Sequence, residues 1–147
     1  MSDRFNALRS SVNQSWGTPN NIFEPLNIEF KFTVDAAADE NNALLPKYWT
    51  ELDDGLIQNW NNEIVWCNPP YGKLQIDFIR KAASSTGTSV LLIPARTDTK
   101  VWHECIHNKS NVEIRFVKGR IKFKGASQFA PFASAVVIFN PSKVEKC

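Results

Sequence analysis

The run Ser89-Val90-Leu91-Leu92-Ile93 constrains the fold of this chain most. Its apolar residues are consecutive rather than alternating, so as a strand it must be buried on both faces. Pro94 ends it, because proline lacks the N–H that a central strand donates. Strands of this kind lie inside sheets covered by helices, which predicts an α/β domain. Other segments fit that class. Glu63-Ile64-Val65-Trp66-Cys67 reads as a short apolar strand stopped by Asn68-Pro69-Pro70-Tyr71-Gly72, and Phe30 to Val34 alternates as a strand running into Asp35. A helix is predicted from about Leu74 to Ser84, with Ile76, Phe78 and Ile79 facing inward. Asp98 or Thr99 caps a second helix through about Asn108. Val112 to Val117 and Arg120 to Lys124 alternate as strands around a turn or bulge at Gly119, and Ala133 to Phe139 is a final buried strand. Thr18-Pro19 reads as a helix start, with Thr18 as N-cap and Pro19 in the first position. Ile22, Phe23 and Leu26 would face the core, and Pro25 would shorten or kink that helix. Residues 39–62 are rich in Asn, Asp and Trp and read as irregular. This order predicts a mixed, mostly parallel sheet with antiparallel C-terminal strands.

At 147 residues the chain is one compact domain, 43% hydrophobic and 22% charged, which is ordinary globular composition. Residues 1–15 read as a loose arm, 16–141 as the domain and 142–147 as a tail. No apolar run approaches the ~18–20 residues that cross a bilayer. No charged-then-apolar leader is visible, and Cys67, Cys105 and Cys147 form no C-x-x-C pair, so a reducing cytoplasm is the expected home. With only His103 and His107 to add, no metal is expected: that pair reads as a solvated helix face.

The chemistry lies in Asn68-Pro69-Pro70-Tyr71. The asparagine carbonyl accepts a hydrogen bond, and two prolines present backbone carbonyls without competing N–H groups. The bend is rigid, so these acceptors are in place before a ligand arrives. Tyr71 adds a flat ring for stacking. Two converging acceptors and a ring form a receptor for a planar –NH2 group. Accepting both amino protons would draw the nitrogen lone pair out of conjugation and aim it at an electrophile, with orientation and charge stabilisation supplying the gain. Ligands of α/β sheets sit at the carboxyl ends of the strands, which directs attention to Asp35, Asn68 and Pro94 to Arg96.

Asn68-Pro69-Pro70-Tyr71 resembles the (Asp/Asn/Ser)-Pro-Pro-(Tyr/Phe/Trp) motif of amino-directed, S-adenosylmethionine-dependent methyltransferases. Trp16-Gly17-Thr18-Pro19, Val34-Asp35-Ala36-Ala37-Ala38, Asp54-Gly55-Leu56 with Trp60, Leu92 to Thr99 and Gly119-Arg120-Ile121-Lys122-Phe123 occur with it in order. Together they resemble the compact phage-type (Dam-like) DNA N6-adenine methyltransferases over roughly residues 16–140. The resemblance implies a Rossmann-like methyltransferase fold, S-adenosylmethionine as cofactor and DNA as partner, in a host bacterium's cytoplasm where the chain is phage-encoded. It implies that Asn68, Pro69, Pro70 and Tyr71 are catalytic. It sets Thr18 and Pro19 near the methionine end of the cofactor, Asp35 on its ammonium group, Ala36 in close approach, and Asp54 on its adenine amino group. The loop after the first strand has no glycine, which argues against a dinucleotide more than against a cofactor without phosphates. Asp39 and Glu40 are both candidates for the ribose hydroxyls.

From Lys109 to Lys124 six residues are basic and one, Glu113, is acidic. In an extended segment Lys118, Arg120, Lys122 and Lys124 share one face and could follow a phosphate backbone. Arg96 would contact a phosphate near an extruded base. A base inside a duplex cannot offer its amino group to a pocket, so it must flip out. Tyr71 would stack on one side, and Phe123, Phe129 or Phe132 on the other. One domain leaves sequence reading to short loops near Ser127 to Phe132, with room for a second subunit. RNA bases or a glutamine amide present the same planar amino group, and a catalytically inactive nucleic-acid-binding module would keep only the cations.

Overall fold

The computed structural model describes residues 17–141. The predicted arm and tail, Trp16 and Cys147 lie outside them. Five strands form one sheet: β1 (Val34–Asp35), β2 (Ile64–Cys67), β3 (Thr88–Pro94), β4 (Val112–Phe116) and β5 (Ser134–Phe139). Their order is β1-β2-β3-β5-β4. β1, β2 and β3 are mutually parallel, and β5 runs antiparallel to both β3 and β4. The mixed sheet with its antiparallel tail is the predicted architecture.

Helix α1 (Asn20–Phe30) covers one face of the sheet, and α2 (Lys73–Ser84) and a π-helical turn (Trp102–Ile106) cover the other. Side chains alternate across β3, so Val90 and Leu92 join Phe23, Leu26 and Phe32 under α1, while Leu91 and Ile93 join Phe78, Ile79 and Trp102. Two covered faces explain the unbroken apolar run. Trp66 anchors α1: the Phe23 ring meets it edge-on at 5.3 Å between centroids.

Several boundaries differ from expectation. Thr18 is not a helix cap. Pro19 holds the cap position in extended geometry, its carbonyl accepts from the Ile22 and Phe23 N–H groups, and no side chain among the described residues caps the helix. The helix then runs through Pro25 to Phe30, and left-handed Lys31 (φ 57°) ends it. Phe30 to Thr33 is therefore not a strand, and β1 is only two residues long. Apolar periodicity could not separate the end of this helix from a strand, since Phe30 and Phe32 suit both. Ile76 is exposed, and Ala82 takes the third inward place on α2. The helix expected up to Asn108 is a short wide turn, closed by the His107 N–H on the Trp102 carbonyl at 2.8 Å, which still buries both Trp102 and Ile106. Arg120 to Lys124 joins no strand. Its alternation survives as burial of Ile121 and Phe123, and among the described residues its ladder contact is an isolated bridge from Lys124 to Gly17.

The irregular stretch has a definite course. Lys47 to Trp49 runs along the outer edge of β1: the Asp35 N–H donates to the Lys47 carbonyl (3.1 Å), and the Trp49 N–H donates to the Asp35 carbonyl (2.9 Å). Asp54 to Leu56 then turns back against the loop after β1. Only glycine fits at position 55, since a Cβ there would lie 2.3 Å from the Ala36 carbonyl oxygen. The Trp60 indole N–H donates to the Gly55 carbonyl (2.8 Å) and pins this turn.

Candidate active site

The carboxyl ends of β1, β2 and β3 open on one edge of the sheet, and the antiparallel register brings Ser134 of β5 opposite Pro94 there. Asp35, Asn68 and Arg96 consequently come to the same edge. A cavity of about 520 Å³ lies against it. Ala36 to Asn42, Tyr48 to Leu52, Asp54 to Leu56, Asn68, Pro70, Leu74 and Phe78 line it. That volume suits a cofactor-sized ligand. Asp39, Glu40, Glu51 and Asp54 contribute carboxylates, and among the described residues no Lys or Arg lines it. Such a wall favours a cationic ligand and disfavours phosphates.

Asp54 and Ala36 lie in this wall as expected. Asp54 is also a turn residue: it takes a left-handed conformation (φ 58°), and its carboxylate accepts from the Leu56 N–H (3.1 Å). Asp35 stands elsewhere. It lines a cleft of about 20 Å³ beside the cavity, together with Thr18, Trp66 and Asn68. Its carboxylate accepts from the Leu44 N–H at 3.1 Å. Burial pushes its pKa up from 3.8 to about 6, against the lowering effect of the Leu44 and Ala37 N–H groups. Thr18 is buried in the same cleft, where the Asn68 side-chain N–H donates to its hydroxyl (3.2 Å). Pro19 lines neither space.

Asn68 and Pro70 line the cavity, whereas Tyr71 does not. The Tyr71 ring meets Phe132 edge-on at 5.7 Å, and the Arg96 guanidinium lies 5.6 Å from the Phe132 centroid. Burial raises the Tyr71 pKa, and nearby Arg96 works against that rise. Among the three aromatic candidates, Phe132 thus stands at Tyr71, Phe123 is in the core and Phe129 is exposed. Lys118, Arg120 and Lys122 are exposed, and Lys124 donates from Nζ to Asn20 Oδ1 (2.7 Å), which ties it to α1. His103 and His107 pack ring against ring (5.4 Å), and no cluster of three metal-ligating side chains occurs among the described residues.

Sequence reasoning missed Tyr48 to Leu52 as cavity wall, and Leu74 and Phe78 as its apolar side. The aromatic pair Tyr48-Trp49 was the available signal, since large rings in an irregular stretch need something to pack on. The Asn68-Pro69-Pro70 bend therefore separates an acidic, cofactor-sized cavity from an aromatic and cationic surface. Fold and site together define an α/β domain with an acidic, cofactor-sized cavity at the carboxyl ends of its parallel strands.

The family described as DNA N-6-adenine-methyltransferase (Dam) matches residues 6–144, and the chain belongs to it. It is 30% identical over 107 residues to the DNA N-6-adenine-methyltransferase of Escherichia phage T1, a match covering 69% of this chain and 44% of that protein. The chain thus spans under half the length of that relative. It is also 34% identical over 67 residues to the YfdM protein of Escherichia coli (strain K12), covering 41% of this chain and 74% of YfdM. No helix among the described residues is long and apolar enough to cross a membrane.

Proposed function

We propose that this chain transfers a methyl group from S-adenosylmethionine to the N6 amino group of an adenine flipped out of duplex DNA. One observation carries the reading: the Asn68-Pro69-Pro70 bend has an acidic cavity on one side and the Tyr71, Phe132 and Arg96 cluster on the other. When bound, S-adenosylmethionine supplies an electrophilic methyl group on a sulfonium. The acidic wall suits its positive charge, with Asp54 toward its adenine and Asp35 toward its ammonium group; Thr18 and Pro19 bring the start of α1 to that end. Ala36 allows close approach, and Asp39, Glu40 and Glu51, which line the cavity, are the candidates for the ribose hydroxyls.

Asn68 Oδ1 and the carbonyls of the proline bend accept the two amino protons of the target base. They orient the nitrogen lone pair toward the cavity and stabilise the positive charge that develops on it. Tyr71 stacks on the flipped base. Phe132 covers the opposite face after moving off its present edge-on contact with Tyr71. Arg96 and the exposed Lys118, Arg120, Lys122 and Lys124 hold the phosphates.

Incubation with labelled S-adenosylmethionine and duplex DNA should place label on adenine N6. Label only in RNA or in protein would overturn the assignment of substrate, and absence of both turnover and cofactor binding would mean a binding module. Neutralising Arg120 and Lys122 together should flatten the dependence of log affinity on log salt by about one unit per lost phosphate contact. An unchanged slope would mean that both cations face solvent in the complex.

A further inference from the structure

Behind Asn68 lies a polar cleft whose Thr18 hydroxyl and Trp66 indole the transfer reaction as described does not use. Asp35 and Trp66 are register partners on the parallel strands β1 and β2, so their side chains stand side by side on one sheet face. Asn68, two residues beyond Trp66, continues that row. Gly17 and Thr18 close the cleft, held by the paired hydrogen bonds between Gly17 and Lys124. Its volume of about 20 Å³ admits one water-sized group. Thr18, Asp35 and Trp66 are each at most 3% exposed. The Trp66 indole N–H is buried without a hydrogen-bond partner among the described residues.

The donor and acceptor inventory of this cleft has a direction. An indole N–H only donates, and an ionised carboxylate only accepts. A group between Trp66 and Asp35 must therefore accept from the first and donate to the second, as a water molecule does. Thr18 lines the same cleft, so its single proton can turn into it. That leaves a lone pair of the Thr18 oxygen for Asn68, whose Nδ2 lies 3.2 Å away. Because Asn68 lines both spaces, an amide with Nδ2 on Thr18 turns Oδ1 toward the cavity. The opposite rotamer would set N–H donors against the amino protons of the substrate and could not support the reaction.

We infer that Thr18 is a positioning residue: its hydroxyl, backed by Asp35 and Trp66 across a one-water cleft, holds the Asn68 side-chain amide with Oδ1 facing the reacting amine. This rests on the reading that Asn68 Oδ1 accepts from the target amino group. A carboxylate at position 68 would need no such device, because its two oxygens are equivalent.

Thr18→Val removes the hydroxyl and nearly keeps the shape, whereas Thr18→Ser keeps the hydroxyl. Thr18→Val should lower kcat about tenfold, with KM for duplex DNA and affinity for S-adenosylhomocysteine within about twofold of wild type, and Thr18→Ser should recover most of kcat. In an Asn68→Asp background the same Thr18→Val change should cost at most about threefold in kcat. An unchanged kcat in Thr18→Val overturns the proposal. So does failure of Thr18→Ser to recover it, or an equal loss in both backgrounds, which would mean that Thr18 only packs. A loss confined to S-adenosylhomocysteine affinity overturns it too, assigning Thr18 to the cofactor. Full activity in Asn68→Ala would instead remove the role of Asn68 itself, so the two failures are distinguishable.

Discussion

Asn68→Ala should lower the rate of methyl transfer by about 100- to 1,000-fold while S-adenosylhomocysteine binds within a few-fold of wild type. The magnitude is that of removing one preorganised hydrogen-bonding group aimed at developing charge. The site contains a second acceptor in the backbone of the Pro69-Pro70 bend, so some activity should survive. The selectivity for kcat follows from position. Asn68 borders the cavity at one point of a wall that runs from Ala36 to Phe78, and most of the binding area stays intact. Its amide meets the amino group only when the base is in place, and the charge it stabilises appears only in the transition state. Single-turnover kinetics on duplex DNA, with cofactor affinity by calorimetry, separates the two quantities. Wild-type turnover in Asn68→Ala would exclude the proposed role of the bend, and a collapse of cofactor affinity would make Asn68 a cofactor ligand.

The second large effect concerns Asp35 and carries opposite signs for stability and binding. Asp35→Asn should stabilise the ligand-free protein at pH 8 and weaken S-adenosylhomocysteine binding at least tenfold, as expected for a charged partner left unpaired. Burial holds the Asp35 pKa at about 6, above its ordinary 3.8. Between these values the folded protein binds more protons than the unfolded chain, so stability falls as pH rises from about 4 to about 6 and is level above that. The interval corresponds to about 3 kcal/mol, an upper bound on the gain from Asn, which keeps one of the two acceptor oxygens that Leu44 and Ala37 use. The stability advantage of the variant over wild type in urea denaturation should grow from pH 4 to pH 6 and then level off. A difference independent of pH would show that the carboxylate titrates normally. An ammonium group on the ligand would stabilise the ionised form, so wild-type cofactor affinity should weaken as pH drops below about 6, and Asp35→Asn should lose that dependence. The burial cost of Asp35 is then retained for binding.

The two effects show where local sequence was sufficient. Asn68-Pro69-Pro70-Tyr71 was legible as a rigid bend at the end of a sheet because its geometry is local: two prolines set their own backbone, and an apolar strand before them sets their place. The buried run up to Ile93 was legible because burial on both faces leaves no polar alternation. Arg120 to Lys124 was half legible. Its alternating burial was correct, yet strand pairing requires a neighbour, and among the described residues the bridge there is to Gly17 alone. Phe30 to Thr33 misled, because two aromatics two residues apart fit a helix end as well as a strand, and Pro25 did not stop the helix before them.

The amino acids alone were enough for the α/β class, the antiparallel tail, the rigid proline bend after β2 and the acidic residue that ends β1, since each follows from hydrogen-bonding capacity or periodicity within a short stretch. Folding in three dimensions settled the rest: that Asp39, Glu40, Glu51 and Asp54 share one wall, that Phe132 among three phenylalanines meets Tyr71, and that Thr18 pairs with Asn68 rather than capping a helix. These partners lie far apart along the chain, and periodicity carries no record of which distant side chains the sheet order brings within reach.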